Sequence, residues 1–594
     1  MVRSAETIEG LAVAGRATLG RDTVDVPQLL WTRAASAPAA PDGAPTIAEE
    51  APGPANERRL SIRFGTTVLP LHVPIEAPEI ARDGDPAVEL SPGIWTVRGP
   101  LDSMTPGSWP GAELIVLTNA RALWSDGAPF VRTMGALRAG AGAAPIVWAP
   151  RVALPHRIPL LTYLGVDWLD TTEGAIQAAH GTTFDETLGA DRGAEGTVDL
   201  PRLGAEYTRA VAGTRSALAR GRLRELVEAR LAAEPAQAEM LRYADRFLAA
   251  ALEERTPVVG DERIGRYVLA ESLRRPEMRR FRARLVDRYR PPASKEVLLL
   301  VPCSRTKPYR RSRSHRRFAS AWEGFAAVER LHVVSVSSPI GVVPRELEDV
   351  HPARHYDIPV TGDWSDEERE LVLEGLRAIL AQGRYRSIVV HLDPGEYDFL
   401  REALPSRLPT VWTLGDHRST SPEAINSLRA SIRAALEGTS GPVPGGPLRV
   451  VREELAEVAA IQFGRPAAAR LFADPCRLAG RPWFQRVTDG EGTDLASWKE
   501  ERGLFQLTIA GAERFGPEFP LRVEAGPDVP LRGDLFAPGV RAADPMIRTG
   551  DAVVVTQGGA LAAVGEAAMS GRLMTELGRG IAVHLRHRRH AETP

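Results

Sequence analysis

Four short runs of apolar residues between residues 296 and 416 constrain the fold of this 594-residue chain most strongly. They read EVLLLVP, LHVVSVSSPIG, YRSIVVHLDPGEY and PTVWTLGD, and stretches with helical spacing separate them. Strands that are buried on both faces have near-continuous apolar sequences, and the helices that connect them cover the sheet. We therefore predict a central α/β domain over residues 293–437, with a sheet sandwiched between helices.

The same criteria divide the rest of the chain, and the fold class is multidomain α/β. In residues 1–200, runs such as AELIVLTN and IPLLTYLGVDWLDTT alternate with helix-like pieces, which predicts a β/α domain with a parallel sheet. Its Ala/Pro/Gly-rich segment 34–56 is expected to be an inserted loop. Residues 201–292 have helical apolar spacing. After the linker GTSGPVPGGP, we predict a small α+β domain over 448–520 and a small β-barrel over 521–594.

Composition excludes several classes of protein. The net charge of −2 says nothing about partners, so only local charge is informative. Cys303 and Cys476 are the two cysteines, too few for a disulfide framework or a Cys-rich zinc cluster, and we expect no metal and no cofactor. The sequence has no apolar run near the ~18 residues of a membrane span and no secretory leader, so we expect a cytoplasmic protein with no membrane partner.

Cys303 follows the first apolar run of the central domain, with Pro302 between them. Ligands of open α/β sheets bind beyond the carboxyl ends of the strands, so a reactive group belongs at this position. Lys307 and neighbouring arginines would favour the thiolate, and His315 is a candidate base or acid. The alternative is that Cys303 is simply a small packed apolar residue.

Seven Lys and Arg residues lie between residues 305 and 317, and no acidic residue lies between Glu296 and Glu323. Arginines beside hydroxyl and aromatic groups suit an RNA backbone, which predicts RNA contacts for Arg310, Arg311 and Arg313. A solvated basic face is the alternative.

Three carboxylates lie in turns after the second and third apolar runs, where we expect them to share the sheet edge with Cys303. Together with Ser304 they form a predicted substrate-binding set: Ser304, Glu346, Asp393 and Glu396. Each carboxylate alone is also explained as a helix cap.

The stretch PCSRTKPYRRSRSH fits the pattern Pro-Cys, three residues, Lys-Pro-Tyr, two residues, Ser, two residues, His. This resembles the signature of the archaeosine synthase family, archaeal tRNA-modifying enzymes related to tRNA-guanine transglycosylases. The resemblance implies that an amine donor, free lysine in this family, adds to the nitrile of 7-cyano-7-deazaguanine in the D-loop of tRNA. It also implies a radical-SAM partner protein, and we expect a homodimer. The catalytic set that follows is Cys303, Lys307, Tyr309, Ser312 and His315.

Each of these residues has a predicted role. His315 would deprotonate the amine, and Lys307, Tyr309 and Ser312 would donate hydrogen bonds to the nitrile nitrogen. Cys303 either forms a covalent thioimidate first or only accompanies a direct attack by the amine. We favour the direct attack.

The flanking segments resemble the same family. GLAVAGRATLGRDTVDVPQLLW and LGVDWLDTT are similar to a transglycosylase β/α barrel, and the resemblance would place its nucleophilic aspartate at Asp167. The cysteines of the transglycosylase zinc site are absent, so we predict a shortened barrel without base-exchange activity, in which residues 201–292 complete the domain. Asp167 is then a structural carboxylate.

The C-terminal segment GDLFAPGVRAADPMIRTGDAVVVT resembles a PUA domain, an RNA-binding β-barrel. Its predicted RNA-binding residues are Phe536, Gly539, Arg548 and Arg586. Two other functions stay open on sequence alone: an active tRNA-guanine transglycosylase, and a tRNA-binding protein without catalytic activity.

Overall fold

The computed structural model describes residues 2–3, 6–19, 22–33, 37–50, 59–64, 67–71, 87–185, 189–192, 199–260, 264–359 and 362–589. The chain forms two compact units. The first comprises Met1–Thr256, Asp534–Arg548 and Ala568–Ala582. The second comprises Pro257–Gly533, Thr549–Ala567 and Val583–Pro594. Among the described residues, no helix has the length and apolar character needed to cross a membrane.

The first unit is built on a nine-stranded sheet whose six central strands run parallel. Its spatial order is Thr67–Leu71, Arg59–Phe64, Thr46–Glu50, Gln28–Thr32, Trp168–Asp170, Ile146–Trp148, Leu114–Leu117, Ile94–Val97 and Ala87–Ser91. The two edges are antiparallel additions. Large buried side chains such as Trp148 and Trp168 fill one face of this sheet.

Part of the predicted loop insertion is a strand. Thr46–Glu50 lies inside 34–56 and pairs with the parallel strand Gln28–Thr32, so the prediction is wrong for these five residues. Residues 37–45 contain no helix or strand, and residues 34–36 and 51–56 lie outside the described residues.

Helices cover the other face of the nine-stranded sheet. They span Ala120–Trp124, Gly127–Ala141, Ile158–Tyr163, Thr172–Ala179, Leu200–Ala219, Leu223–Arg230, Pro235–Phe247 and Ala249–Glu254. A further helix of this unit, Gly571–Glu576, packs against the segment 537–543. Arg224 links two of the covering helices, because its buried guanidinium lies 2.6 Å from Asp245 and 2.9 Å from Glu228. A buried cation needs such partners, which offset the loss of hydration.

The remaining strands of the first unit are short. They are Val2–Arg3, Thr7–Glu9, Ala12–Leu19 and Asp22–Val26, the hairpin Thr182–Asp185 and Gly189–Arg192, and Leu535–Phe536 and Val540–Ala543. The sequence predicts a boundary at residue 292. In the structure the N-terminal segment of the first unit extends to Thr256, and residues 257–292 belong to the second unit.

The second unit contains the predicted α/β sheet, here called the central sheet. Its order is Gly341–Pro344, Leu331–Ser337, Val297–Pro302, Ser387–Val390 and Thr410–Trp412. The four strands that the apolar runs predict are parallel, and Gly341–Pro344 adds an antiparallel edge through a hairpin. Four helices accompany the sheet: Pro276–Asp287, Arg313–Ala319, Asp366–Gln382 and Pro422–Glu437.

Local sequence fixes the ends of these helices. Ser365 and Glu368 form a capping box at the start of Asp366–Gln382, whose first turn is acidic. Ser421 caps the helix Pro422–Glu437, its side chain accepting from the Ala424 N–H. The short strands Gly265–Arg266 and Tyr356–Asp357 pair beside this domain.

Two smaller sheets complete the second unit. Helices Gly446–Phe463, Arg465–Leu471 and Ile509–Phe515 accompany an antiparallel sheet of Cys476–Arg481, Phe484–Asp489, Asp494–Lys499 and Phe505–Leu507. The final strands are Arg522–Ala525, Ala552–Gln557, Ala560–Ala567 and Ile581–Arg588, which pairs from Val583 onward.

Candidate active site

Cys303 lies at the carboxyl edge of the central sheet, as its position after the first apolar run predicts. Its backbone N–H donates to the Val336 carbonyl at 3.1 Å, which continues the pairing of the strand by one residue. Ser337 ends the neighbouring strand, and Pro302 pairs with Val336 in the parallel register. The thiol is therefore fixed beside Ser337 at the middle of the sheet.

The environment of Cys303 opposes the predicted thiolate. Burial raises the pKa of the Cys303 thiol above its ordinary value, and a hydrogen bond with Ser337 and the charge of Lys307 offset this effect only in part. A half-buried thiol with a raised pKa is neutral near pH 7, and the neutral form is a poor nucleophile.

Lys307 lies next to this thiol over an aromatic ring. Its Nζ is 4.1 Å from the centre of the Tyr356 ring, a cation–π contact. Burial lowers the pKa of Lys307 below its usual value, although the nearby Cys303 and Asp357 favour the charged form. A lowered pKa makes it easier for this amine to exist in the neutral form that accepts a proton.

Tyr309 is fully buried, and its hydroxyl is hydrogen-bonded to that of Tyr356. Tyr356 also bonds Ser337, which donates in turn to the Ser338 carbonyl at 2.9 Å. Burial and the neighbouring Tyr356 raise the pKa of Tyr309, so both phenols stay protonated. This network gives Tyr309 a supporting position beneath Lys307.

The contacts of His315 oppose its predicted role as the base. Its Nε2 lies 2.9 Å from the Pro302 carbonyl oxygen and therefore carries the proton, while Nδ1 accepts from Arg345 at 3.3 Å. Burial and the Arg345 charge lower the pKa of His315 to about 3. Both ring nitrogens are hydrogen-bonded, which ties His315 to Pro302 beside Cys303 and to Arg345.

Ser312 also has a structural position. It is buried and caps the helix Arg313–Ala319, its Oγ accepting from the His315 N–H at 3.1 Å. The Ser-x-x-His part of the motif thus holds the loop after Cys303 in place, and its predicted donor role is not supported by this geometry.

The predicted RNA-binding arginines of the motif differ in environment. Arg310 is half-buried and paired with Asp349 at 2.7 Å and Glu500 at 2.6 Å. Arg311 also pairs with Glu500, at 2.7 Å, but its side chain is 56% exposed. Arg313 is exposed, with no ion pair among the described residues. Arg310 therefore holds the motif segment to its own unit, while Arg311 and Arg313 face solvent.

Glu346 does not share the sheet edge with Cys303. The hairpin after Ser337 returns the chain along the antiparallel strand Gly341–Pro344, so Glu346 lies towards the amino ends of the parallel strands. There it accepts from Tyr289 at 2.5 Å and lies 3.5 Å from His332. Although burial opposes it, the His332 charge lowers the pKa of Glu346. The prediction that Glu346 shares the sheet edge with Cys303 is wrong.

Asp393 and Glu396 follow the third parallel strand on the expected edge. Asp393 caps a turn by accepting from the Gly395 N–H at 2.8 Å and the Glu396 N–H at 3.2 Å. The Glu396 side chain is exposed, and Ser304 is half-buried directly after Cys303. Ser304 and Glu396 thus stay available at this edge, whereas Asp393 is used to shape the loop.

An aromatic group, Trp364, Tyr397 and Phe399, lies at the same edge and was not selected from the sequence. The ring centres of Trp364 lie 5.3 Å from Tyr397 and 5.5 Å from Phe399. Burial and the nearby Cys303 raise the pKa of Tyr397. The sequence signal is the final Tyr of HLDPGEY.

In the first unit, Asp167 is a buried structural carboxylate. It precedes the parallel strand Trp168–Asp170, contacts Arg138, and accepts from the Val147 N–H at 2.9 Å. Asp170, not Asp167, lies at the carboxyl end of that strand. Its carboxylate accepts from the N–H groups of Arg151 and Thr172, both at 3.0 Å, and burial raises its pKa.

The predicted C-terminal RNA contacts divide between exposed and paired residues. Phe536 is 55% exposed and precedes the turn that contains Gly539. In the same unit Arg548 pairs with Glu253 at 2.7 Å. In the second unit Arg586 lies 3.6 Å from Glu566 and stays half exposed.

Comparison with known proteins places the chain in a family. Residues 278–432 match a domain of unknown function (DUF5591), and residues 524–588 match the PUA domain. The archaeosine synthase of Haloferax volcanii is 33% identical over 507 residues, covering 80% of this chain and 82% of that protein. The chain belongs to the archaeosine synthase family. Archaeosine synthase subunit alpha of Methanosarcina acetivorans is 32% identical over 527 residues, or 82% of each chain.

The chain is also similar, over a shorter stretch, to tRNA-guanine transglycosylases. A tRNA-guanine(15) transglycosylase of Pyrococcus furiosus is 35% identical over 137 residues, 22% of this chain and 23% of that protein. The match at residues 278–432 includes all five strands of the central sheet and the whole motif. Among the described residues, no group of three or more His, Cys, Asp or Glu is arranged to hold a metal ion.

Proposed function

We propose that this chain modifies tRNA in archaeosine biosynthesis, by adding an amine to the nitrile of 7-cyano-7-deazaguanine in the D-loop. The observation that carries the proposal is the contact set of Lys307. A half-buried amine with a lowered pKa lies beside Cys303 at the carboxyl edge of the central sheet. Membership of the archaeosine synthase family supports tRNA as the substrate.

The proposed chemistry is a direct addition. The donor, free lysine, presents its side-chain amine, and the ammonium form must first lose a proton. Lys307 in its neutral form accepts this proton, after which the amine nitrogen forms a bond to the nitrile carbon and one C–N π bond breaks. Protonated Lys307 then returns a proton to the nitrile nitrogen, and the product is an amidine. No group leaves, and no oxidant or reductant is needed.

Cys303 acts in this scheme as a neutral hydrogen-bonding and packing residue. A thioimidate route requires the thiolate, which the raised pKa of the thiol disfavours. Tyr309, Ser312 and His315 position the segment that carries Cys303 and Lys307. The neutral thiol therefore supports the direct attack over the covalent alternative.

The edge beside Cys303 suits a flat, partly polar base. Trp364, Tyr397 and Phe399 provide aromatic surface, on which a deazaguanine ring is able to stack. Ser304 and Glu396 are the polar groups that we assign to the edges of the base. Glu396 would accept from its N–H groups, as carboxylates do with guanine-like bases.

The other parts of the chain are assigned to tRNA binding. Arg311, Arg313 and Arg586 contact phosphates, and Phe536 of the PUA domain offers an exposed aromatic ring. The first unit is a transglycosylase-like β/α domain in which Asp167 is structural and base exchange is lost. We further propose a cytoplasmic homodimer that supplies the lysine adduct to a radical-SAM partner.

The test is incubation of the full chain with tRNA bearing 7-cyano-7-deazaguanine and candidate donors, followed by nucleoside mass spectrometry. We expect a nucleoside whose mass equals the cyano nucleoside plus lysine. Guanine appearing at that position would instead establish a transglycosylase. Unchanged tRNA with every donor, despite tight binding, would establish a binding protein and contradict the proposal.

A further inference from the structure

The antiparallel sheet of residues 476–507 carries a basic outer face that none of the roles above uses. Cross-strand pairing decides which side chains share a face, because directly paired residues point the same way. Arg481 pairs with Phe484, which pairs with Lys499, and Ala479 pairs with Arg486. Alternation along the first strand adds Arg477 to this face.

The two faces of this sheet have opposite character. Val487, Ala496 and Trp498 are buried on the inner face. The outer face presents four cations, Arg477, Arg481, Arg486 and Lys499, all exposed. Arg486 is paired with Asp494 at 3.1 Å, whereas the other three have no ion pair among the described residues. The outer face therefore has an excess of positive charge.

An exposed tryptophan stands at the end of this face. Arg481 and Phe484 are paired across a two-residue turn, so Pro482 and Trp483 form its tip. Trp483 is 55% exposed, an unusual state for the largest apolar side chain. The Arg481 guanidinium lies 5.7 Å from its ring centre, and Lys499 Nζ lies 5.9 Å from that of Phe484. Cation and ring are thus interleaved along one edge.

We propose that this outer face binds RNA, with Arg477, Arg481 and Lys499 contacting phosphates and Trp483 stacking on an unpaired base. Positive charge complements the phosphate backbone, and exposed aromatic rings stack on bases irrespective of sequence. An acidic protein would match the cations but would leave Trp483 without a flat partner. The surface rests on the proposed function, since tRNA is the RNA assigned to it.

The test measures binding of the full chain to an unmodified tRNA transcript over a range of salt concentrations. Trp483→Ala should weaken binding about tenfold or more with an unchanged salt dependence, because stacking is not electrostatic. The double variant Arg477→Ala/Arg481→Ala should weaken binding and lower the slope of log K against log salt by roughly two.

Two variants of the same unit serve as controls. Leu448→Ala removes a side chain that is 71% exposed, and Arg377→Ala removes an exposed arginine that pairs with Glu370 at 3.0 Å. Both should bind tRNA as the unaltered chain does. The proposal would be overturned if Trp483→Ala and the double variant both bound tRNA with unaltered affinity. This holds also if these variants lost binding to a protein partner instead.

The design separates this surface from the proposed reaction. Because the transcript lacks the cyano base, a weakened Trp483→Ala variant supports the surface even if no amine adduct ever forms. If adducts form at the normal rate and tRNA affinity is unchanged, the surface fails while the proposed function stands.

Discussion

His315 Nε2 lies 2.9 Å from the carbonyl oxygen of Pro302, the residue that precedes Cys303. This hydrogen bond joins the last residue of the motif to its first and closes the loop that carries Lys307. Arg345 occupies the other ring nitrogen at 3.3 Å, so the imidazole is held neutral on both sides. Most residues of the signature thus hold the loop in place, and we propose Lys307 as its reacting group.

We predict that His315→Ala lowers the rate of adduct formation by displacing the loop. Losing the bond removes a donor from the carbonyl of the half-buried Pro302, which should cost about 0.5–1.5 kcal/mol of unfolding free energy. His315→Gln, whose amide can donate to Pro302, should restore part of the rate and part of the stability. The measurement is the pH–rate profile, whose shape should not change in either variant, because His315 transfers no proton. A shifted acidic limb would show instead that His315 is the base.

Lys307→Met should reduce the rate by about 10²–10⁴-fold, the usual contribution of a general acid–base group, while leaving tRNA affinity unchanged. Methionine keeps the length and apolar stem of the side chain and removes the amine. Arg377→Ala is the matched control for loss of a cation outside the site. Activity near that of the unaltered chain in Lys307→Met would exclude the proposed proton transfer.

The pH dependence has a definite sign. Burial lowers the pKa of Lys307, so the neutral amine becomes populated at a pH below the ordinary lysine value of roughly 10.4. The rate at saturating donor should therefore rise with pH and level off before that value. Single-turnover rates between neutral and alkaline pH check this, and a rate that falls as the pH rises would require the charged form instead.

Cys303→Ala should keep most of the activity. Its thiol is neutral and contributes a hydrogen bond, worth about 1 kcal/mol or roughly fivefold in rate. Cys303 should also react slowly with iodoacetamide near pH 7, for the same reason. Complete loss of adduct in Cys303→Ala, with tRNA binding retained, would favour the covalent thioimidate route.

Tyr397→Leu should raise the KM for cyano-modified tRNA more than it lowers kcat, because the ring is assigned to stacking on the base. Trp412, which lies under Arg401 with 4.6 Å between the guanidinium and the ring centre, offers a matched aromatic control as Trp412→Leu. Equal KM values for the two variants would remove Tyr397 from the proposed base site.

The sequence predicts the central sheet well and the chemistry of its edge less well. Apolar runs locate all four parallel strands, because burial on both faces leaves few polar residues within them. The same runs do not show the hairpin after Ser337, and that hairpin carries Glu346 away from the site. A tight hairpin between two strands has no hydrophobic periodicity of its own that the sequence could show.

The sequence also overstates the positive charge that acts on the Cys303 thiol. Adjacent arginines suggest a low thiol pKa, but Arg310 is paired with Asp349 and Glu500, residues far along the chain. Burial is then the largest influence on the pKa of the Cys303 thiol. Long-range ion pairs and burial depend on the fold, so neither is visible in the spacing of a motif.

The most direct test of the central claim is a single-turnover reaction with lysine labelled at the side-chain nitrogen and cyano-modified tRNA. The unaltered chain and Lys307→Met are compared by mass spectrometry of the digested nucleosides. We expect the unaltered chain to transfer the side-chain nitrogen label into the modified nucleoside. Lys307→Met should transfer it at a rate lower by orders of magnitude. Equal label incorporation by both proteins, or none with the unaltered chain, would contradict the central claim.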